Sequence, residues 1–91
     1  MQIIWTRPAL FDLRALQRYI ARDNPDAASR QIELVALAVE KLRDFPQSGR
    51  PGRKSGTREL LIGKTPYLVP YVLQNDAIHV LRVLHGKQRW P

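Results

Sequence analysis

The spacing of hydrophobic residues in the first half of the chain predicts one short strand and two helices. Residues 2–5 have the length and apolar content of a β-strand. Thr6 is a candidate N-cap, and Pro8 falls in the first turn, where a missing N–H costs little. Asn24 and Pro25 repeat this signal, so the first helix ends before them and the second begins there. The apolar stripes are Ala9, Leu13, Leu16 and Ile20, then Ala28, Ile32, Val35, Val39 and Leu42. Helices joined by so short a turn predict an antiparallel hairpin.

In the second half the hydrophobic pattern changes from helical to strand-like. Phe45-Pro46 ends the second helix, and residues 46–56 form a loop that contains three glycines and two prolines. Strands are predicted over 57–62, 67–73 and 77–84, separated by turns at 63–66 and 74–76. Pro70 cannot donate to a strand ladder, so it marks an edge position or a bulge. The third of these strands is almost entirely apolar and is expected inside the sheet.

This order of elements predicts the fold class. The succession is strand, helix, helix, strand, strand, strand. Consecutive strands with short turns pair antiparallel, and the helix hairpin covers one face of the sheet. We therefore expect a single α+β domain over residues 1–91, a two-helix antiparallel hairpin packed on a small, mainly antiparallel sheet.

Composition narrows the function classes. The chain is 44% hydrophobic and 25% charged, as a globular protein is. It has no cysteine, so disulfides, a thiol nucleophile and Cys-based metal sites are excluded. With two histidines only, a His-rich metal site is not expected. No cofactor is expected either. No window approaches the roughly 20 apolar residues of a membrane span, and Thr6, Arg7 and Pro8 interrupt the N-terminal apolar run. We expect a cytoplasmic protein with no membrane partner.

Positive charge is concentrated in the second half of the chain. The formal net charge is +7. Residues 1–45 hold seven basic and six acidic residues, hence +1, whereas residues 46–91 hold eight and two, hence +6. This asymmetry indicates a polyanion or an acidic protein as partner. The candidate binding residues are Arg50, Arg53, Lys54, Arg58, Arg82, Lys87, Arg89 and Trp90. We expect them to converge into one cationic docking area, although strand alternation does not decide which face carries Arg58 and Arg82.

Charged residues lie inside the predicted strands, and two of them, Arg82 and Glu59, allow more than one interpretation. Arg82 sits among Val, Leu and Ile, so it requires a counter-charge or access to solvent. One interpretation is an ion pair with Glu59 or Asp76, or exposure on the open sheet face. The other is contact with a phosphate or carboxylate, which the planar guanidinium fits. Glu59 stands beside Arg58 and is interpreted as its ion-pair partner rather than as a general base.

The end of the chain offers two further candidates. His85 could act as an acid or base at neutral pH, or have a structural role. Trp90 could stack on a base, but we favour packing back over the sheet as a plug. No Gly-rich phosphate loop, Ser-His-Asp set, carboxylate dyad or metal-ligand spacing is present. The residues present are chemically compatible with metal-free RNA cleavage, but no residue is identified as its general base.

Five stretches together resemble the RelE/ParE toxin family of type II toxin–antitoxin modules. They are residues 9–28, 45–52, 56–60 (GTREL), 65–71 and 82–91 (RVLHGKQRWP), in the order the family has them. The resemblance spans essentially the whole chain. It implies a growth-inhibiting toxin that a cognate antitoxin neutralises.

The resemblance implies two alternative activities. RelE-like members cleave mRNA at the ribosome, and ParE-like members inhibit DNA gyrase. The motifs GTREL and HGKQRWP resemble ParE-like and plasmid-stabilisation proteins more closely. Poisoning of gyrase is therefore the leading hypothesis. In the alternative, an mRNA endonuclease, Arg58 and Arg82 would bind phosphate and His85 would be the acid. Several family nucleases carry a tyrosine near the C-terminus, where this chain has Trp90 and Pro91.

The partner that the resemblance implies is the antitoxin. We expect an acidic or amphipathic antitoxin segment to cover apolar sheet or helix surface and to neutralise part of the positive charge. Operator DNA is expected to be bound only through the antitoxin complex. A third hypothesis is an inactive homologue that only binds its antitoxin.

Overall fold

A computed structural model describes residues 1–90, so Pro91, the last residue of the predicted tail, lies outside the described part. The helices are α1 (Arg7–Ala21) and α2 (Pro25–Glu40), and α2 continues into a 3₁₀ turn, Lys41–Arg43. The strands are β1 (Gln2–Trp5), β2 (Arg50–Pro51), β3 (Arg58–Leu61), β4 (Tyr67–Gln74), β5 (Ala77–Val80) and β6 (Leu84–His85). The predicted order of elements is confirmed, and β2 is an addition inside the predicted loop. Within residues 1–90 neither helix is long and apolar enough to cross a membrane.

Both helices begin at the predicted caps. The Thr6 hydroxyl oxygen accepts a hydrogen bond from the Ala9 N–H at 3.3 Å, and the Asn24 side-chain oxygen accepts one from the Ala27 N–H at 3.0 Å. Each bond satisfies one of the backbone donors that a helix start leaves unpaired. α1 ends at Ala21, three residues before the second cap. The turn is therefore short, and the two helices pack side by side as a hairpin.

The sheet runs in the order β1-β5-β4-β3-β2, with β6 also paired to β4. Its pairs are antiparallel except β1 with β5, which is parallel. The parallel pair arises because the helix hairpin carries the chain across the sheet between β1 and the later strands. β5 lies between β1 and β4, so the predicted interior position of the apolar strand is confirmed.

A bulge divides the predicted third strand into β5 and β6. Tyr71 faces Val80 and Leu68 faces Leu84, so three steps along β4 are matched by four along the opposing chain. The extra residue lies opposite Pro70, whose carbonyl accepts the Leu81 N–H at 2.9 Å but which has no N–H to return. Of the two predictions for Pro70, the bulge is confirmed and the edge position is wrong, because β4 is interior.

The two faces of the sheet have different surroundings. Val69, Tyr71, Ile78 and Val80 alternate along β4 and β5 and pack with helix residues in one buried cluster. We call this the helix side. The residues between them point to the other face, the open side, which no helix covers. Pro70 and Glu59 face each other there.

Candidate binding surface

A buried carboxylate organises the open side of the sheet. Glu59 lies on β3 opposite Arg50 of β2, and its side chain is 1% exposed. Its Oε1 accepts a hydrogen bond from Arg50 Nη2 at 3.0 Å. Its Oε2 accepts the backbone N–H of Arg53 at 3.1 Å and lies 3.7 Å from the Arg53 Nε. Two guanidinium groups are thus gathered around one carboxylate, whereas the predicted pairing of Glu59 with Arg58 is wrong.

The electrostatics keep this carboxylate ionised. Burial raises the pKa of Glu59, but the Arg53 backbone N–H and the two arginine side chains outweigh burial and lower that pKa below its ordinary value. Glu59 is therefore a bound anion at neutral pH and a poor general base. The side chains of Arg50 and Arg53 are 51% and 40% exposed, so both can still meet a partner.

The C-terminal tail joins this cluster. The Arg53 Nη1 donates a hydrogen bond to the Gln88 carbonyl at 3.2 Å. Lys87 and Arg89 flank Gln88 in the chain, and both are exposed. The tail itself is tied to the sheet where the Gly86 N–H donates to the Pro66 carbonyl at 2.7 Å. We call Arg50, Arg53, Lys54, Lys87, Arg89 and Trp90 together the loop–tail surface.

Trp90 forms one wall of a groove between the loop and the open side of the sheet. The groove is lined by loop residues 54–57, by Val72 and Gln74 of β4, and by Leu81. The indole is partly buried, and its Nε1 is shielded from solvent without a hydrogen-bond partner in residues 1–90. The tail therefore packs back over the sheet, as the sequence favoured, but the indole lies beside Lys54 along the groove and does not plug it.

Arg58 lies on the helix side, at the edge of the core. It faces Tyr71 across the β3–β4 ladder, and cross-strand partners share a face. Its Nη1 donates to the carbonyls of Gln47 and Gly49, at 3.2 and 2.8 Å. The same loop is held by the buried Tyr71 hydroxyl, which accepts the Gly49 N–H and donates to the Pro46 carbonyl. Arg58 therefore fastens the segment that follows α2.

Arg82 also belongs to the helix side. Its Nε and Nη2 donate to the two carboxylate oxygens of Asp12 in α1, at 2.6 and 3.0 Å. Asp12 also accepts a hydrogen bond from the Val83 N–H at 3.0 Å. The same carboxylate therefore holds both the Arg82 side chain and the backbone of the bulge. The hydrogen bond from Arg82 to Asp12 raises the pKa of Arg82, and burial offsets part of that rise. The predicted partners Glu59 and Asp76 are wrong, because the bulge turns Arg82 toward α1.

His85 is exposed at the end of β6. Its ring lies 6.2 Å from that of Tyr67 in an edge-on arrangement. Its Nδ1 accepts the Lys87 N–H at 3.1 Å, which shapes the turn into the tail. Within residues 1–90 no group of three or more His, Asp or Glu side chains is close enough to hold a metal ion.

The expected single cationic area is divided in two by the sheet, so that expectation is wrong. The loop–tail surface lies at the open side, whereas Arg58 and Arg82 engage groups on the helix side. Alternation along β3 separates Arg58 from its neighbour Glu59 and hence from Arg50. The sequence left the face of Arg58 and Arg82 open, and the register and the bulge decide it.

Comparison with known proteins assigns the chain and its fold to a family. The family model for the ParE toxin of the type II toxin–antitoxin system parDE matches residues 3–90. The chain belongs to this family. As a type II toxin it has a cognate antitoxin as partner. The two-helix hairpin on a mostly antiparallel sheet is the architecture of this family, as the sequence predicted.

Relatives and a solved structure agree with the assignment. The chain is 43% identical over 90 residues to the Y4kP protein of Sinorhizobium fredii, which covers 99% of this chain and 93% of that protein. It is 33% identical over 85 residues to the toxin RelE2 of Caulobacter vibrioides, covering 93% and 94%. The chromosomal ParDE toxin–antitoxin system from P. aeruginosa superimposes with a TM-score of 0.84 at 27% identity, covering 93% of this chain and 95% of that chain.

Sequence reasoning missed one residue that shapes this ParE-family chain. Asp12 was not singled out, although it holds both Arg82 and the bulge. It is the only acidic residue of α1, a helix that contains four arginines if its C-cap Arg22 is counted. That isolation was the available signal. Its partner lies 70 residues away, a distance that no local pattern bridges.

Proposed function

We propose that this ParE-family toxin inhibits growth by binding and poisoning DNA gyrase through the loop–tail surface, without catalysing a reaction. Membership of the ParE family supports gyrase as the target, because ParE-like members inhibit that enzyme. The observation that supports the surface is the cluster around Glu59. A buried carboxylate holds Arg50 and Arg53 in place while about half of each side chain stays accessible.

The positions of the other basic residues support a non-enzymatic mechanism. A metal-free nuclease needs a base for the attacking hydroxyl and a cation for the developing charge. Glu59 is already bound to two arginines, and Asp12 is bound to Arg82 and Val83. Arg58 donates to two carbonyls of its own chain. These groups are occupied by structural contacts, whereas the exposed loop–tail surface is suited to holding a partner.

A gyrase assay tests this proposal. Purified toxin added to a supercoiling reaction is expected to inhibit it and to accumulate cleavage complexes. The double variant K54E/R89E reverses two exposed charges of the loop–tail surface, and we expect it to raise the inhibitory concentration at least tenfold. The matched control R30E/K41E makes the same charge change on α2 and the turn that follows, and should stay within about twofold. A wild-type toxin that leaves supercoiling intact would end the gyrase proposal.

The second candidate is a ribosome-dependent mRNA endonuclease. Three relatives from Caulobacter vibrioides carry RelE names, at 31–35% identity over 80–85 residues. The exposed imidazole of His85 would be the acid, and Arg82 and Arg58 would bind phosphate. In a translation extract read by primer extension, wild-type toxin would then produce ribosome-dependent cuts that His85→Ala removes. Because Arg82→Ala also breaks the contact with Asp12, His85→Ala is the more direct variant.

Family membership also bears on where the toxin acts and on how it reaches DNA. Since gyrase and the ribosome are both cytoplasmic, we infer that the toxin acts there. Operator DNA would be reached only through the antitoxin complex, because neither helix of the hairpin is presented as an isolated base-reading helix. A gel-shift assay with toxin alone and with the toxin–antitoxin complex distinguishes these two cases.

A further inference from the structure

A cavity of about 530 Å³ lies between α1 and the end of the sheet, on the helix side. Its α1 wall contains Ala15, Leu16 and Tyr19, and the opposite wall contains Tyr67 and His85. The lining is mainly apolar, and the volume falls within the roughly 300–1,000 Å³ of small-molecule sites. We call this space the three-ring cavity, after Tyr19, Tyr67 and His85.

The three rings leave aromatic surface available to a ligand. The ring centres of Tyr67 and His85 lie 6.2 Å apart, and their planes meet at 83°. This edge-on contact leaves ring surface that a further flat group can cover. Tyr19 is 70% exposed, so most of its ring has no protein contact. Exposed rings beside an apolar cavity are suited to stacking on a flat ligand.

The polar groups of the three-ring cavity are mainly hydrogen-bond donors that have no acceptor within residues 1–90. The His85 Nδ1 accepts the Lys87 N–H, so a neutral imidazole holds its proton on Nε2. The Gln88 side-chain oxygen accepts the His85 N–H, which leaves the Gln88 amide N–H groups free. Burial, and secondly the nearby Tyr19, raise the pKa of Tyr67, so its hydroxyl keeps its proton. A ligand that fits must therefore offer acceptors.

The charges around the three-ring cavity favour a neutral ligand. Among its lining residues Asp12 is the one carboxylate, and it is already bound by Arg82 and Val83. The lining contains neither lysine nor arginine, so a phosphate or carboxylate would have no counter-charge there. A hydrocarbon would leave the donors unpaired. A flat heterocycle with ring nitrogens can stack on the rings and accept from the donors at the same time.

We propose that the three-ring cavity binds a purine base, which stacks on Tyr19 and Tyr67 and accepts hydrogen bonds from the His85 Nε2–H and the Gln88 amide. A free nucleoside and a single-stranded nucleic acid present the same base, so the chemistry at the cavity is shared. The proposal requires binding only, and it depends on neither gyrase nor the ribosome as the target. Gln88 belongs to the tail, so a bound base would also hold the tail against α1.

A titration of the full chain with adenosine, followed by NMR spectra of the backbone amides, tests this proposal. Adenosine should cause saturable shifts confined to residues 12–19, 67 and 83–88. Ala15→Leu fills the cavity from α1 and Tyr19→Ala removes one ring, and each is expected to weaken binding at least tenfold. The matched controls lie outside the cavity. Ala36→Leu adds the same group to an exposed position of α2, and Phe45→Ala removes a ring that is 65% exposed. Both should stay within about twofold of wild type.

The second arm of the test uses a short single-stranded deoxyadenosine oligomer, which lacks the 2′-hydroxyl that metal-free RNA cleavage needs. Binding at least tenfold tighter than that of adenosine, and lost in Tyr19→Ala, assigns the base to a nucleic-acid strand. Any smaller difference assigns it to a free nucleoside.

Three results would overturn the proposal: no saturable shifts with adenosine, shifts spread over the whole chain, or equal losses in the cavity variants and their controls. Tyr19→Ala changes an exposed side chain, so it tests the cavity even if Ala15→Leu unfolds. The gyrase assay contains no added nucleoside other than its nucleotide substrate, and the adenosine titration contains no gyrase, so failure of one leaves the other readable.

Discussion

At the scale of single residues, the ParE-family chain uses its few acids to position its many arginines. Glu59 and Asp12 each hold backbone N–H groups as well as guanidinium groups. A buried charge is costly unless it is paired and hydrogen-bonded, so each carboxylate must bring its partners close. Two of the eight acids therefore organise four segments of the fold: α1, the loop after α2, β3 and the bulge.

Glu59 gives stability a defined pH dependence. Its pKa is lowered in the folded state from about 4.5, so its contribution is present above that value and is lost as pH falls through the folded pKa. Glu59→Gln should lower the free energy of unfolding by about 1–3 kcal/mol at neutral pH. The difference from wild type should shrink as pH falls below about 4.5, where the carboxyl is protonated first in the unfolded chain and, at lower pH, in the folded protein too. Urea unfolding from pH 7 to pH 3 measures it.

The control for this prediction is the exposed Glu33 of α2. Glu33→Gln should follow the wild-type pH curve within a few tenths of a kcal/mol, as surface substitutions generally do. A gap between wild type and Glu59→Gln that stays constant down to pH 3 would contradict the assignment of this carboxylate as the titrating group.

Asp12 should contribute to stability through the bulge. Asp12→Asn keeps the shape but loses the charge that accepts two bonds from Arg82 and one from Val83. Because Arg82 keeps partial access to water, we expect a loss of about 1–3 kcal/mol rather than the larger cost of a fully buried unpaired charge. Thermal or urea unfolding measures it against the exposed Asp23→Asn. Equal unfolding midpoints for Asp12→Asn and Asp23→Asn would show that Asp12 does not stabilise the bulge.

At the scale of elements, the helices can be predicted from residues close together in the chain, whereas the strand pairing of the sheet cannot. Capping residues, proline positions and three-to-four spacing lie within one helix, so the start of each helix was predictable from Thr6 and Asn24. The bulge depends on how Pro70 meets Leu81, which is 11 residues along the chain and lies between β5 and β6. Pro70 predicted an interruption of the strand pairing, but only the register of β4 with β5 and β6 shows where the interruption lies.

The loop after α2 is held by the buried Tyr71 hydroxyl together with Arg58. The Tyr71 hydroxyl accepts the Gly49 N–H at 2.9 Å and donates to the Pro46 carbonyl at 2.8 Å. Burial raises the pKa of Tyr71, so this hydroxyl keeps its proton at neutral pH. Tyr71→Phe leaves both backbone groups unpaired, and we expect a loss of about 1–3 kcal/mol. The Gly49 amide should also exchange faster with deuterium.

The exposed Tyr19 provides the matched control for this change. Tyr19→Phe removes a hydroxyl that no residue among 1–90 contacts by a hydrogen bond, so both stability and the exchange rate of Gly49 should stay at wild-type values. Unchanged Gly49 exchange in Tyr71→Phe would show that the loop is held by Arg58 alone.

At the scale of the whole molecule, the two faces of the sheet are closed by different means. The helix hairpin covers one face with a continuous apolar cluster. The open side is covered instead by two short segments that are far apart in sequence, the loop 52–57 and the tail 86–90. Few contacts hold such segments, and local stability is expected to be lower there. The surface proposed to bind gyrase lies on this less firmly held side.

Trp90 should be the anchor of that arrangement. Trp90→Ala removes the indole that lines the groove together with Val72 and Leu81, and we expect a loss of about 1–2 kcal/mol. For a chain of this length, that corresponds to a fall in melting temperature of several degrees. Hydrogen exchange should increase in residues 52–57 and 86–89 and remain unchanged in α1 and α2. Uniform acceleration over the chain would contradict a local anchor.

The resemblance of scattered stretches predicted the family, but it predicted the positions of the candidate site residues only in part. The five stretches taken together were sufficient to name the family, whose model matches residues 3–90. The same residues did not show that Arg58 and Arg82 would turn to the helix side. Each arginine is compatible with either face by alternation, and its partner is a carbonyl or carboxylate from another element.

The sequence by itself determined the helix hairpin, its caps, the order of strands along the chain and the excess of positive charge. These properties depend on residues within a few positions of each other or on composition alone. The tertiary structure alone decided which acid meets which arginine, where β5 gives way to β6, and how the basic residues divide between two sides of the sheet. The physical reason is that an ion pair forms wherever packing brings opposite charges within about 4 Å, and that distance is set by the sheet register and the docking of α1.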